Sequence, residues 1–401
     1  MRKRISIISL AALCLATLQV NTAKAADLKE WSYFIFLNGH NNLDSYGSKN
    51  IIDMEKVGST DQVNIVVQWA SMAASTTKRL YIKKSNNPKK VMSPTVNNPG
   101  LVDMGDYHSL VDFVTWAAKN YPAKHYFVSV WDHGGGWHQA FINNNGARIK
   151  PYDISWDDRS GHFITTQQLG EAMTDISKIL GQKVDVYGSD ACLMAMAEVA
   201  SEMNTSVNYF VGSEETEPGD GWPYQPFLAK WTANPTMSSA DVSKLLSSEY
   251  VKAYSDGGVY SNSDVTMSAM DLTKLDAFNS SIKDLGQKLK GLIASKKAAV
   301  LKAADSSQSF EYADYKDFVD FTNNLESANL LRGDSAIANA RSAAAALVIE
   351  SDATDKYRNA HGLSIWLPSN SSDYSEYQAK YGSLNFNQVT GWGDVVKALN
   401  N

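Results

Sequence analysis

Short runs of β-branched and aromatic residues alternate along this chain with stretches of helical spacing, and that alternation limits what it can fold into. The runs are Trp31 to Leu37, Val63 to Ala70 (VNIVVQWA), Tyr126 to Trp131 (YFVSVW), Val184 to Tyr187 and Tyr209 to Gly212. Several are apolar almost throughout, as in strands covered on both faces rather than one. Between them, Tyr107 to Asn120 places Leu110, Val111, Val114 and Ala118 on one stripe, and Thr165 to Leu180 does so with Leu169, Met173, Ile176 and Leu180. Leu193 to Met203 has helical composition. Together these predict an α/β fold with a mainly parallel central sheet flanked by helices.

Other segments fill in the outline. Arg79 to Lys83 (RLYIK) reads as a short strand, and Gln139 to Asp158 as a long polar loop. Beyond residue 260 the chain turns mostly helical. Leu275, Phe278, Ile282, Leu285, Leu289 and Leu292 form an amphipathic stripe, Tyr315 to Leu325 suits another helix, and Ser342 to Glu350 is rich in alanine. Val265 to Met270 and Leu363 to Leu367 look like strands that rejoin the main sheet. The expected division is therefore a signal segment (1–25), an α/β region (26–260) and a mostly helical C-terminal region (261–401) packed on it. No Pro/Gly/Ser linker marks the second boundary.

The signal segment rests on Arg2, Lys3 and Arg4, an apolar run from Ile5 to Val20, and Ala23-Lys24-Ala25 as a small-x-small cleavage site. The run is short for a membrane span. Cleavage after Ala25 would deepen the formal charge from -6 to -10. A chain this acidic has no basic excess to clamp a phosphate backbone, so nucleic acid is not an expected partner. The expected location is secreted or periplasmic, with no membrane attachment after cleavage.

Of the two cysteines, Cys14 lies in the signal segment, so the mature chain keeps Cys192 alone and forms no internal disulfide. A lone thiol is either a small buried hydrophobe or a reactive group. Its placement favours the second. His133 and Cys192 each follow the carboxyl end of an expected parallel strand, the edge where α/β sheets build ligand sites. Cys192 also opens the helix expected over Leu193 to Met203, whose dipole would favour thiolate. An imidazole beside it takes the thiol proton and returns it to a leaving amine. Gly134, Gly135 and Gly136 fit a loop where backbone approaches a ligand, with the Gly134 and Cys192 amides as oxyanion donors, or they simply make a tight turn. His133 precedes Cys192 by 59 residues, the order found in caspase-like rather than papain-like enzymes.

These residues resemble the clostripain family of cysteine peptidases. WDHGGGW (Trp131 to Trp137), DACLM (Asp190 to Met194), SEETEPGDGWPY (Ser213 to Tyr224), GLSIWLP (Gly362 to Pro368) and NNLD (Asn41 to Asp44) carry the likeness in order along the chain. The resemblance implies a caspase-like three-layer sandwich. It also implies an endopeptidase with a His133–Cys192 dyad that cleaves protein or peptide substrates after Arg or Lys, with no obligatory third orienting residue. Acids would then line the pocket for the P1 side chain, Asp190 first and Asp220 second. Taken alone, Asp190 also admits a reading as a helix N-cap and Asp220 one as a solvated turn residue. Asp132, adjacent to His133, points to the opposite face and reads as structural. Glu214, Glu215 and Glu217 could bind a cation or cap a helix, but such a loop cluster reads first as solvated. No cofactor is expected. Some family members need calcium, but no motif for it occurs here, and His133 and His138 lack metal-ligand spacing. Arg148–Ile149 is the candidate for self-cleavage, since Lys150 precedes Pro151.

Two rival functions fit parts of the sequence. HGGG also occurs in serine esterases, which need a G-x-S-x-G elbow; Gly333-Asp334-Ser335-Ala336-Ile337 lacks its last glycine. A non-catalytic binding module on the same fold would have no need of both His133 and Cys192.

Overall fold

Strand β1 (Lys29–Gly39) turns Phe34 and Phe36 to one side and Trp31, Tyr33, Ile35 and Leu37 to the other, and all six are buried. A strand apolar on both faces needs two covers, and the computed structural model provides them. It describes residues 28–138, 141–142, 148–149, 153–260 and 262–401. Counting only the central sheet, the remaining strands are β2 (Val63–Ser71), β3 (Thr77–Tyr81), β4 (Thr95–Gly100), β5 (Ala123–Trp131), β6 (Val184–Asp190), β7 (Val207–Gly212), β8 (Thr266–Asp271) and β9 (Val348–Ala353). Their order is β9-β8-β7-β6-β5-β1-β2-β3-β4. The five strands from β7 to β2 run parallel and the two at each edge antiparallel, so the sheet is mixed around a parallel centre.

One face is covered by helices Asp44–Glu55, Tyr224–Ala233 and Ser239–Tyr254, which bury Ile51, Met54, Phe227, Trp231, Leu246 and Tyr250. The other is covered by Tyr107–Asn120, Thr166–Leu180 and the helical segment Leu275–Asp305, kinked at Lys296, with Phe113, Met173 and Phe278 in its core. The helix starts are written locally. Thr165 accepts from the Gln168 amide while the Gln168 side chain reaches back, a capping box, and Gly181 ends that helix at φ 70°.

The structure departs from expectation in several places. The helix expected over Leu193 to Met203 is only Ala197–Glu202. Leu193 donates to the Glu215 carbonyl at 3.1 Å and Ala195 to the Ser213 carbonyl at 2.9 Å. These bonds tie the backbone to the segment leaving β7, so it cannot coil before Ala197. The polar stretch before residue 158 contains a short strand, Ile154–Asp157, paired with His162–Ile164, in which Ser155 and Asp157 are buried. Buried polar side chains that are hydrogen-bonded, as Asp157 is by His40 and the Met104 amide, look like loop in composition.

The C-terminal half also differs. Of its two strand-like pieces, β8 joins the main sheet, but Ser364–Trp366 pairs with Tyr315–Asp317 in a separate two-stranded sheet. The alanine-rich stretch ends as helix at Leu347 and continues as β9. Because β8 and β9 lie beyond residue 260 yet complete the sheet, the expected boundary there does not separate two cores. The signal segment lies outside the described residues. Among those described, no helix is long and apolar enough to cross a membrane.

Candidate active site

The register of the two central strands sets the site. Asp190, the last residue of β6, pairs with Trp131, the last of β5. His133 and Cys192 therefore each sit two residues past one paired position, on the same sheet edge. Both line a cavity of about 200 Å³ with Asp190, Glu217 and Gly221.

Cys192 occupies a turn rather than a helix start. The next residue, Leu193, is buried and held at φ 64°, a left-handed conformation uncommon for a residue with a side chain. Its amide bond to Glu215 and its burial keep it there. The Cys192 Sγ is half-buried and accepts a hydrogen bond from the Glu217 amide at 3.2 Å. Burial pushes the thiol up to about 12, with the charges of Glu217 and Glu215 adding to the effect. The expected helix-dipole stabilisation of a thiolate is thus absent, and the resting nucleophile is a thiol. Burial also holds His133 below its ordinary 6.5, against a smaller upward pull from Asp158. The resting pair is neutral, thiol and imidazole.

His133 Nε2 lies 2.6 Å from Asn42 Oδ1. An amide oxygen only accepts, so Nε2 carries the proton and Nδ1 keeps the lone pair. In the sequence Asn42 is only part of a turn; the signal for its role is its place just past β1, the neighbour of β5. Asp132 is occupied elsewhere, accepting from Asn38 at 2.8 Å and Asn41 at 2.6 Å.

The glycine run is shaped by contact. A Cβ on Gly134 would stand 2.4 Å from the Cys192 carbonyl oxygen, so only glycine fits against that peptide. Gly134 bridges to Ile154 through its neighbours, with Gly135 donating to Asp153 at 2.8 Å and Ser155 to His133 at 3.3 Å. That pattern leaves the Gly134 amide outside the ladder. Gly136 sits at φ 69° against Met196 and Tyr315.

Asp190 is buried and accepts from the Trp222 amide at 3.2 Å and the Tyr224 hydroxyl at 2.6 Å. As a strand-end residue it is not a helix N-cap. Burial raises its carboxyl to about 7. Asp220 is half-buried, offers its backbone carbonyl to Asn50 at 2.8 Å, and is not among the lining residues. Glu217, three positions earlier, is among them. The cluster read as solvated is not: Glu214 and Glu215 are buried, and Glu214 accepts from the Gly362 amide at 2.8 Å. His138 is buried 3.1 Å from Asp314. Among the described residues, no group of three or more His, Cys, Asp or Glu side chains is arranged to hold a metal ion. The Arg148–Ile149 backbone pairs with Phe141–Ile142, while Lys150 and Pro151 lie outside the described residues.

A cysteine and a histidine on the carboxyl edge of such a sheet mark the caspase–legumain group of folds, the class into which this chain falls. Within it the chain belongs to the clostripain family, a family of cysteine-type endopeptidases, whose profile matches residues 35–398. It is 30% identical over 150 residues to clostripain from Hathewaya histolytica, a match covering 35% of this chain and 27% of that protein. The chain thus spans about a quarter of that relative's length. Two crystal structures share the fold. One is a secreted cysteine protease from Bacteroides thetaiotaomicron bound to an irreversible peptide inhibitor, with TM-score 0.69, 19% identity, and coverage of 91% of this chain and 99% of that one. The other is an inactive protease zymogen from Parabacteroides distasonis, with TM-score 0.68, 16% identity and the same coverage.

Proposed function

We propose that the mature chain is a secreted or periplasmic thiol endopeptidase that cleaves peptide bonds after Arg or Lys. The observation that carries this reading is a single cavity lined by Cys192, His133 and the buried Asp190. Cys192 Sγ attacks the scissile carbonyl carbon while its proton passes to His133 Nδ1. The Gly134 and Cys192 amides receive the developing oxyanion. As the tetrahedral species collapses, the C–N bond breaks and the leaving amine takes the proton from His133. Water, with His133 as base, then hydrolyses the thioester and frees the thiol. Asp190 receives the guanidinium or ammonium of the P1 residue, for which a buried carboxylate is the natural partner. The likeness to a secreted bacterial protease and the basic-apolar start of the chain support export.

The test uses residues 26–401 and matched peptide amides with P1 Arg, Lys, citrulline or Leu. Arg and Lys substrates should turn over, and Cys192→Ala or prior treatment with iodoacetamide should abolish it. Cleavage that survives alkylation of Cys192 would remove the thiol mechanism. Equal rates on Arg and citrulline would remove the basic specificity.

A further inference from the structure

Both carboxylate oxygens of Glu217 are buried and have no hydrogen-bond partner of good geometry among the described residues. Asp190, on the same cavity wall, has two fixed donors, Trp222 and Tyr224, and neither is charged. Among the described residues, no lysine or arginine lines the cavity. Two neighbouring carboxylates in a low-dielectric wall without a cation cannot both be ionised.

We propose that Glu217 is the second acid of the P1 pocket, and that the Asp190–Glu217 pair gives up a proton when an arginine or lysine side chain enters. The proposal rests on the cavity being that pocket. The exchange balances: one cation comes in, one carboxyl O–H breaks, its proton goes to bulk water, and N–H···O bonds replace it.

The surroundings support the exchange. Burial and then the charge of Asp190 hold Glu217 well above the usual carboxylate range. Among the described residues, the titratable groups packed around the pair offer no countercharge. Tyr33 from β1, Tyr224 from the next helix, Tyr250 and Tyr254 from helix Ser239–Tyr254, and Tyr260 beyond it are all raised by burial and stay neutral. Glu215, Asp132 and Asp220 come from the adjoining loops, and the resting Cys192 and His133 are uncharged near neutral pH. Helix Asp44–Glu55 brings Asp53, which accepts from the Gln225 amide, and Lys49, which lies over the Tyr46 ring. The missing positive charge is the one a substrate carries.

The experiment compares kcat/KM for matched P1-Arg and P1-citrulline amides from pH 5.5 to 8.5. Titration of the dyad is common to both substrates and cancels in their ratio. The ratio should rise roughly tenfold per pH unit on the acid side, as for one displaced proton, and then level off. Glu217→Gln should lower the plateau about tenfold, the scale of one charge-assisted hydrogen bond. Should that variant misfold, calorimetric titration of the Cys192→Ala chain with Nα-acetyl-arginine methylamide at pH 6.5, in buffers of different protonation enthalpy, reads the proton directly. Release near one proton per ligand supports the exchange. A large ratio that is flat with pH, or binding without proton release, overturns it and leaves the pocket assignment standing. A plateau unmoved by Glu217→Gln in a folded variant removes Glu217 from the pocket. A ratio near one overturns the underlying reading instead.

Discussion

Asn42 decides which nitrogen of His133 is basic, because its carbonyl oxygen fixes the proton on Nε2. It acts as a positioning residue, so its loss should show in kcat more than in KM. Asn42→Ala should lower kcat on the order of tenfold, within the range of general-base catalysis, with KM nearly unchanged. A P1-citrulline substrate, free of the carboxyl pair, should show the wild-type acid limb below pH 6.5, where burial holds His133. Asn42→Asp should move that limb to higher pH by adding a negative charge to the ring. A KM effect alone, or an unmoved limb in Asn42→Asp, would reduce Asn42 to a turn former. Single residues were unevenly legible. His133, Cys192 and Asp190 stand at the ends of runs that read as strands. Asn42 and Glu217 look like solvated turn residues in composition, and only strand register and loop path bring Asn42 to His133 and Glu217 to the cavity.

The loop that carries the histidine is held by elements far along the chain. The Tyr315 hydroxyl lies within donating reach of the Gly135 carbonyl at 2.7 Å and of the His138 carbonyl, and accepts from the His138 amide at 3.3 Å. Lys380, from helix Ser371–Ser383, grips Asp153 at 2.7 Å, and the Asp153 carbonyl receives the Gly135 amide. Tyr315→Phe keeps the ring but leaves a buried carbonyl short of a donor, a cost of about 1–3 kcal/mol. The expected result is a lower melting temperature and a kcat reduced more than KM is changed; wild-type kcat in a destabilised variant would confine Tyr315 to folding. Elements with strong local signals were readable, such as the capped helix at Thr165 and the stripe that begins at Leu275. Helices Tyr224–Ala233 and Ser239–Tyr254 were not recognised. They bury Trp231, Tyr250 and Tyr254 alongside Ser243 and Ser247, which blurs the contrast between inner and outer faces.

Across the whole molecule, buried carboxyls tilt stability toward acid. Glu198 accepts from the Trp366 amide at 3.0 Å and the Tyr381 hydroxyl at 2.9 Å, its other oxygen has no hydrogen-bond partner among the described residues, and burial raises it from 4.5 to about 7. A raised carboxyl stabilises the fold fully below its unfolded value and loses that stabilisation as pH climbs through the folded one, here from about 4.5 to 7. At about 1.4 kcal/mol per pKa unit, Glu198 alone accounts for roughly 3 kcal/mol. Asp190, Glu214 and Glu217 act in the same direction, while Asp157 and Asp314, held low, oppose it only at the acid extreme. The melting temperature should therefore be higher at pH 5 than at pH 8, and Glu198→Gln should shrink the difference; equal values for wild type would refute the assignment. At this scale the layered α/β plan was legible from apolar runs, but the boundary at residue 260 was not, because no linker composition accompanies a sheet that takes two more strands from beyond it. The tyrosine that clasps the glycine run is separated from it by 180 positions. On the ribosome the histidine turn therefore emerges long before the parts that complete it, and a half-made chain carries no finished blade while its own peptide bonds are still unfolded beside it.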